Sequence, residues 1–125
     1  MMERYLLIAL AGSLGALSRY ALGGYINSTT GWAFPLGTFA INVTGSLILG
    51  FAGTFGLERF VVNPNYRTAF TVGFVGAYTT FSTWSFETLR LIEDGSYGLA
   101  LANAVGSLVA GLVAVWLGVV LARTI

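Results

Sequence analysis

The chain has 125 residues, of which 56% are hydrophobic and only 9% are charged, and its formal net charge is +1. A soluble domain is typically about 25% charged, and a fold of this size has too little interior to bury so much apolar surface. The composition therefore predicts a membrane protein. The sequence contains no Cys, His or Lys, which excludes disulfides, thiolate metal sites and the usual general bases. The small net charge also argues against a nucleic-acid surface.

Four apolar segments follow one another, and each is near or above the roughly 20 residues that a helix needs to cross the hydrocarbon core. The predicted spans are about Tyr5–Tyr25, Leu36–Phe60, Thr68–Leu91 and Ser96–Arg123. Ala9-Leu10-Ala11 resembles a signal-peptidase site, but the apolar segment continues beyond it, which favours a retained first span. The sequence thus predicts an all-α membrane protein with a single four-helix transmembrane domain over residues 1–125.

The arginines are biased only weakly toward one end of such a bundle. Four spans place both termini on one side with Arg4, Arg59, Arg67 and Arg123, and leave Arg19 and Arg90 on the other. The positive-inside rule then gives only a weak orientation bias, which permits insertion in both directions. Small residues recur every fourth position in the last span, at Ala102, Gly106, Ala110, Ala114 and Gly118. Such seams favour close helix packing and homo-oligomerisation.

Polar side chains share helix faces within three of the predicted spans. Thr38, Asn42 and Ser46 are spaced by four in the second span, as are Asn103 and Ser107 in the fourth. In the third span, one stripe is formed by Thr80, Thr83 and Glu87 and the next by Phe81, Trp84 and Thr88. Hydrogen bonding between helices explains any one of these residues, whereas stacking along three helices favours a pathway. Neutral donors and aromatic edges modestly favour a small anion.

The third span contains a predicted break. Gly73 and Gly76 precede Thr79 and Thr80, and hydroxyl side chains compete with the helical hydrogen-bond ladder. Unwound backbone is tolerated at membrane depth only where it is buried or lines a cavity, and its carbonyls can coordinate a cation. The alternative is a continuous helix with a mild kink.

These motifs resemble the small bacterial fluoride channels of the CrcB/Fluc family, and the resemblance covers essentially the whole chain. In chain order the segments are G-S-L-G-A-L-S-R-Y, N-V-T-G, G-x-x-G-A-Y-T-T-F-S-T-W-S-x-E and N-A-V-G-S. The resemblance implies an antiparallel, dual-topology homodimer in the bacterial plasma membrane. It also implies two fluoride pathways per dimer, passive export down the gradient, and no enzymatic activity.

The resemblance further implies which residues form the sites. A structural sodium ion would lie at the dimer centre on the backbone carbonyls of Gly76 and Thr79. The aromatic pair that lines the fluoride path falls on Phe81 and Trp84, where the family usually has Phe at the second position. The remaining pathway positions are Asn42, Thr38, Ser82, Thr83, Ser107 and Asn103, the last of which lies where members vary. The vestibule residues are Arg19 and, in the other vestibule, Glu87.

Two other functions compete with the channel. A small proton-coupled multidrug exporter shares the length, the span count and the dual topology, but it needs an intramembrane acid. The first span offers only Glu3, at its very end, so Glu87 is the remaining candidate. A structural or assembly subunit without transport activity is the second competitor. An enzyme has no support, because Ser or Thr without an activating base is not a nucleophile.

Overall fold

The computed structural model describes residues 1–125, all of whose regular structure is helical. Eight helical segments follow one another, with π-helical turns at two places. They are α1 (Met2–Thr30), α2 (Leu36–Thr54), π1 (Phe55–Arg59), α3 (Pro64–Thr68), π2 (Ala69–Val75), α4 (Gly76–Tyr78), α5 (Phe81–Glu93) and α6 (Tyr97–Thr124). Three helices are long and apolar enough to cross a membrane: Met2–Thr30, Leu36–Arg59 and Tyr97–Thr124. The chain is therefore an all-helical, multi-pass membrane protein.

Local sequence explains where the long helices stop. Gly31 adopts a left-handed conformation with φ of 61° and donates its amide to Asn27 O at 3.1 Å, which ends α1 later than the predicted Tyr25. Pro35 then precedes α2. At the start of α3, the Asn63 side chain accepts a hydrogen bond from Asn65 N at 2.9 Å, and Pro64 occupies the first helical position. These local signals fix where α1 ends and where α2 and α3 begin.

The third predicted span is divided into two half-helices. The first half, residues 64–78, comprises α3, π2 and α4, and the second half is α5. Between them Thr79 (φ −79°, ψ 158°) and Thr80 (φ −147°, ψ 116°) are extended. The backbone therefore leaves the helical path for two residues, which we call the break.

Glycines bring the helices of one chain into backbone contact. A Cβ atom on Gly50 would overlap Val115 O, and one on Gly118 would overlap Leu47 O, so α2 and α6 pack without intervening side chains. A Cβ atom on Gly106, in the same predicted seam, would meet nothing within 4 Å. Only part of that seam is thus used within one chain, and large apolar side chains remain exposed on α1 and α6.

Candidate functional site

A cavity of about 290 Å³ lies beside the break, between α2, the first half of the third segment, α5 and α6. We call it the main cavity. Six residues predicted for the sites line it: Asn42, Gly76, Thr79, Phe81, Trp84 and Ser107. Its other walls include the hydroxyls of Ser46, Thr71 and Thr80, and it has no Asp, Glu, Lys or Arg. The structure thus gathers neutral donors and aromatic rings around one volume.

Asn42 holds the backbone of the break. Its side-chain Oδ1 accepts a hydrogen bond from Thr80 N at 2.8 Å, and its Nδ2 donates to Thr80 O at 3.1 Å. In a continuous helix the Thr80 amide would bond to Gly76 O. Asn42 therefore satisfies both backbone groups of Thr80 and removes the helical donor from the Gly76 carbonyl.

The Thr80 side chain likewise removes the helical hydrogen-bond donor from the Thr79 carbonyl. Thr80 Oγ1 caps α5 by accepting a hydrogen bond from Thr83 N at 3.2 Å, and that amide would bond to Thr79 O in a continuous helix. Both carbonyls at which a cation is expected, those of Gly76 and Thr79, thus lose their helical donors. Carbonyl oxygens are ligands that hard cations accept, so the residues present fit such an ion.

Arg19 reaches the break from α1. Its Nε donates to Ala77 O at 3.1 Å, which places a positive charge at the C-terminal end of the first half-helix, where the backbone dipole favours a cation. Arg19 also borders a second cavity of about 200 Å³ together with Thr38, Thr80 and Thr83. We call this the Arg19 cavity. Thr80 lines it as well as the main cavity, so the two volumes adjoin.

Glu87 lies farther along α5 and is held by α2. The Thr38 hydroxyl donates a hydrogen bond to Glu87 Oε1, and the carboxyl faces a third cavity of about 300 Å³ that also contains Arg90. Asn27 lines this cavity and the Arg19 cavity. Within one chain, Arg19 and Glu87 therefore border two cavities that share Asn27, because α5 runs from the break along the beginning of α2, where Thr38 lies. Their assignment to opposite vestibules of a dimer stays a prediction.

Trp84 and Asn103 join α5 to α6. The Trp84 indole N–H donates to Asn103 O at 2.9 Å, and Asn103 Nδ2 donates to Thr88 Oγ1 at 2.8 Å. Asn103 Oδ1 accepts from Ser107 Oγ at 3.2 Å, and the Asn103 residue is 0% exposed. We call these contacts the α5–α6 network. Trp84 thus presents its ring to the main cavity while its N–H is engaged, and Asn103 lies between the helices and not on the cavity wall.

The other predicted pathway residues are distributed around α5. The Phe81 ring is 76% exposed and lies 5.2 Å from the Trp84 ring, centroid to centroid. Thr83 accepts a hydrogen bond from Thr80 Oγ1 at 3.0 Å and faces the Arg19 cavity. Ser82 is exposed and lines none of these three cavities. Of the predicted pathway hydroxyls, Ser107 therefore lines the main cavity, and Thr38 and Thr83 line the Arg19 cavity.

Sequence patterns did not single out Asn27 or Thr71 as lining residues. Asn27 was assigned to a connecting segment, although it belongs to the last turns of α1 and its Oδ1 accepts from Gly37 N at 3.0 Å. The glycine at position 37 is the one feature of the sequence that reflects this contact. A Cβ atom there would lie only 2.6 Å from Asn27 Oδ1. Thr71 carried no comparable signal.

Comparison with known proteins identifies relatives over the whole bundle. A family described as "CrcB-like protein, Camphor Resistance (CrcB)" matches residues 6–119. A protein of Geotalea uraniireducens named "Fluoride-specific ion channel FluC" is 46% identical over 124 residues, which cover 99% of this chain and 100% of that relative. Proteins of the same name from Solibacter usitatus (47% over 120 residues; 96% and 98% covered) and Acidobacterium capsulatum (48% over 122 residues; 98% and 98%) are equally similar. All residues of the main cavity lie in the matched region.

Proposed function

The chain belongs to the CrcB family, and we propose that it is a fluoride-selective ion channel that exports cytoplasmic fluoride passively across the bacterial plasma membrane. The observation that carries this proposal is the main cavity, which combines neutral hydrogen-bond donors with two aromatic rings and has no charged side chain. Such a lining can replace the water shell of a small anion without holding the ion too tightly to leave. A proton-coupled path would instead need a carboxylate in the cavity, and a cation path would be expected to prefer carbonyl or carboxylate oxygens over hydroxyl and amide donors.

Each group of the cavity has a part in that passage. The ring edges of Phe81 and Trp84 carry positive partial charge and face the anion, while Asn42 and the hydroxyls of the cavity supply hydrogen bonds. Thr38 and Thr83 continue the polar surface into the Arg19 cavity. There the Arg19 guanidinium attracts anions from the vestibule, because it is the cation that borders that volume.

The functional unit that we propose is an antiparallel, dual-topology homodimer with two fluoride pathways. The high exposure of Phe81 in a single chain supports this arrangement, since a ring of the pathway should be covered once the protein is assembled. The weak four-to-two bias of arginines between the two ends is compatible with insertion in both directions. In this arrangement the third segment crosses the bilayer as two half-helices and completes a four-helix transmembrane domain over residues 1–125.

A structural sodium ion at the dimer centre fits the break. The Gly76 and Thr79 carbonyls of two subunits would hold it, because the amides of Thr80 and Thr83 are bonded to side chains. The ion would supply fixed positive charge that stabilises the converging carbonyls and favours an anion nearby. Asn42 and the Thr80 hydroxyl keep the carbonyls free of helical donors.

The position of Glu87, the only intramembrane acid that a proton-coupled exporter could use, argues against that alternative. Glu87 lies outside the main cavity and accepts a hydrogen bond from Thr38. Exchange of a proton and a substrate at one carboxyl requires that both reach it within a common site. The geometry provides instead a cavity that contains no acid.

Reconstitution tests the proposal directly. Purified protein in liposomes should release fluoride, followed with a fluoride electrode, while chloride measured in parallel stays inside. Glu87→Gln should still conduct fluoride without a proton gradient, because a channel does not require a coupling acid. Absence of fluoride efflux from well-folded wild-type dimers, or efflux that requires both Glu87 and a proton gradient, would contradict the channel.

A further inference from the structure

Five of the six arginines have a partner, and Arg67 has none. The partners are Asn65 for Arg4 (2.8 Å), Ala77 O for Arg19 (3.1 Å), Ile125 O for Arg59 (2.6 Å), Glu58 for Arg123 (3.0 Å) and the Phe86 ring for Arg90 (6.0 Å). The Arg67 guanidinium makes no hydrogen bond, ion pair or ring contact, although the residue is partly buried. An arginine without a partner in its own chain keeps its donors free for an anion from outside the chain.

Arg67 borders a cavity of about 230 Å³ between the two π-helical turns, which we call the Arg67 cavity. Phe55 and Gly56 of π1 form one side of it, and Phe70 and Thr71 of π2 form the other. π-helical turns are rare and recur at functional sites, and here both border the same volume. No acidic residue lines this cavity.

The Arg67 cavity adjoins the main cavity. Thr71 lines both of them, so the cavity that Arg67 borders and the cavity that Phe81 and Trp84 border meet at one side chain. The Arg19 cavity adjoins the main cavity at a different residue, Thr80. The main cavity therefore adjoins two cavities that each have an arginine.

The chemistry of the Arg67 cavity suits an anion in transit. Three phenylalanines line it, whose ring edges carry positive partial charge, and apolar walls strengthen the attraction of a single guanidinium. We propose that Arg67 binds a small anion, fluoride, where it enters or leaves the main cavity at the end that carries the chain termini. This inference rests on the proposed function and adds a second binding site to it.

The test measures fluoride efflux from phosphatidylcholine liposomes that contain wild type, Arg67→Gln, Arg67→Lys or Arg4→Gln. Arg4 is the matched control, because it lies at the same end of the bundle but bonds to Asn65 and borders none of the cavities described. At an ionic strength of about 0.01 M, set with an impermeant salt, Arg67→Gln should lower efflux about fivefold or more. Arg67→Lys should restore most of it, and near 1 M salt the deficit should shrink, because screening removes the attraction of the charge.

If the wild type releases fluoride, the proposed function stands, and three results would then overturn the inference about Arg67 alone. One is Arg67→Gln efflux equal to that of Arg4→Gln at low ionic strength. Another is a deficit of the same size at all ionic strengths, which would make Arg67 a packing residue. The third is a deficit found only in vesicles with phosphatidylglycerol, which would assign the guanidinium to a lipid phosphate. Arg67→Met, which keeps an apolar stem, replaces Arg67→Gln if the latter does not fold, and no wild-type efflux refutes both proposals.

Discussion

The two halves of the third segment are held to the rest of the bundle in different ways. The first half, residues 64–78, packs against α1 through glycine: a Cβ atom on Gly15 would overlap Phe74 O, and one on Gly73 would lie 2.9 Å from Ile8 O. The second half, α5, is held mainly by side-chain hydrogen bonds, from Thr38 to Glu87 and through the α5–α6 network. The first half thus has close backbone contacts in addition to single hydrogen bonds such as that from Arg19 to Ala77 O, whereas the contacts described for α5 are made by polar side chains.

This difference shows how a small membrane protein can combine rigidity with a polar path. Close backbone packing needs no polar side chains and keeps the first half-helix in place, so that its last carbonyls have defined positions. The hydrogen-bonded half carries the rings and hydroxyls that face the cavities. Substitutions should therefore lower the folding stability most in the first half, where backbone meets backbone, and least in α5.

The largest effect is expected where backbone meets backbone. Gly15→Ala places a methyl group where Phe74 O lies, so α1 and the first half-helix must separate. Overpacking typically costs about 1–3 kcal/mol, and a backbone neighbour cannot rotate away, so we expect the upper end of this range. Thermal unfolding in detergent and the yield of folded protein measure the loss. Gly24→Ala is the control, since its Cβ meets nothing within 4 Å, and equal stability of the two variants would contradict the packing account.

A smaller loss of stability, with a large loss of transport, is expected at Asn42. Asn42→Leu leaves Thr80 N without its acceptor and removes one of the donors to Thr80 O, and an unsatisfied polar group that is shielded from water costs about 1–3 kcal/mol. The break then loses its geometry, so fluoride efflux should fall at least about tenfold. Asn42→Asp keeps the acceptor for Thr80 N and should retain more folded protein than Asn42→Leu. Efflux from Asn42→Leu near the wild-type rate would show that the clamp on Thr80 is dispensable.

The smallest effect is expected in the α5–α6 network. Trp84→Phe removes the donor to Asn103 O but keeps an aromatic ring, and side-chain hydrogen bonds between membrane helices average about 0.6 kcal/mol. Thermal unfolding should therefore shift only slightly, and by more than for Trp116→Phe, whose ring is 63% exposed on α6. A destabilisation as large as that of Gly15→Ala would mean that α5 is held as rigidly as the first half-helix.

The sequence predicted those features that depend on local pattern. Hydropathy and length identified the first, second and fourth spans, and two glycines before Thr79-Thr80 indicated where the third would be interrupted. The cause of the interruption was not visible, because it lies in the reach of Asn42 across from α2 to both backbone groups of Thr80. Helical spacing alone likewise gave no sign that Asn103 bonds to Trp84 and Thr88 between helices. Contacts between side chains of different helices leave no mark on the local pattern, so only the structure shows them.

The most direct test of the central claim, that fluoride passes along the main cavity beside the break, is efflux through Phe81→Ile. This change removes a ring from the cavity wall, and its control is Trp116→Ile, an exposed aromatic of α6 that lines none of the cavities described. The account predicts that folded Phe81→Ile protein loses fluoride efflux while Trp116→Ile conducts like the wild type. Undiminished efflux through Phe81→Ile would contradict it and place the path elsewhere.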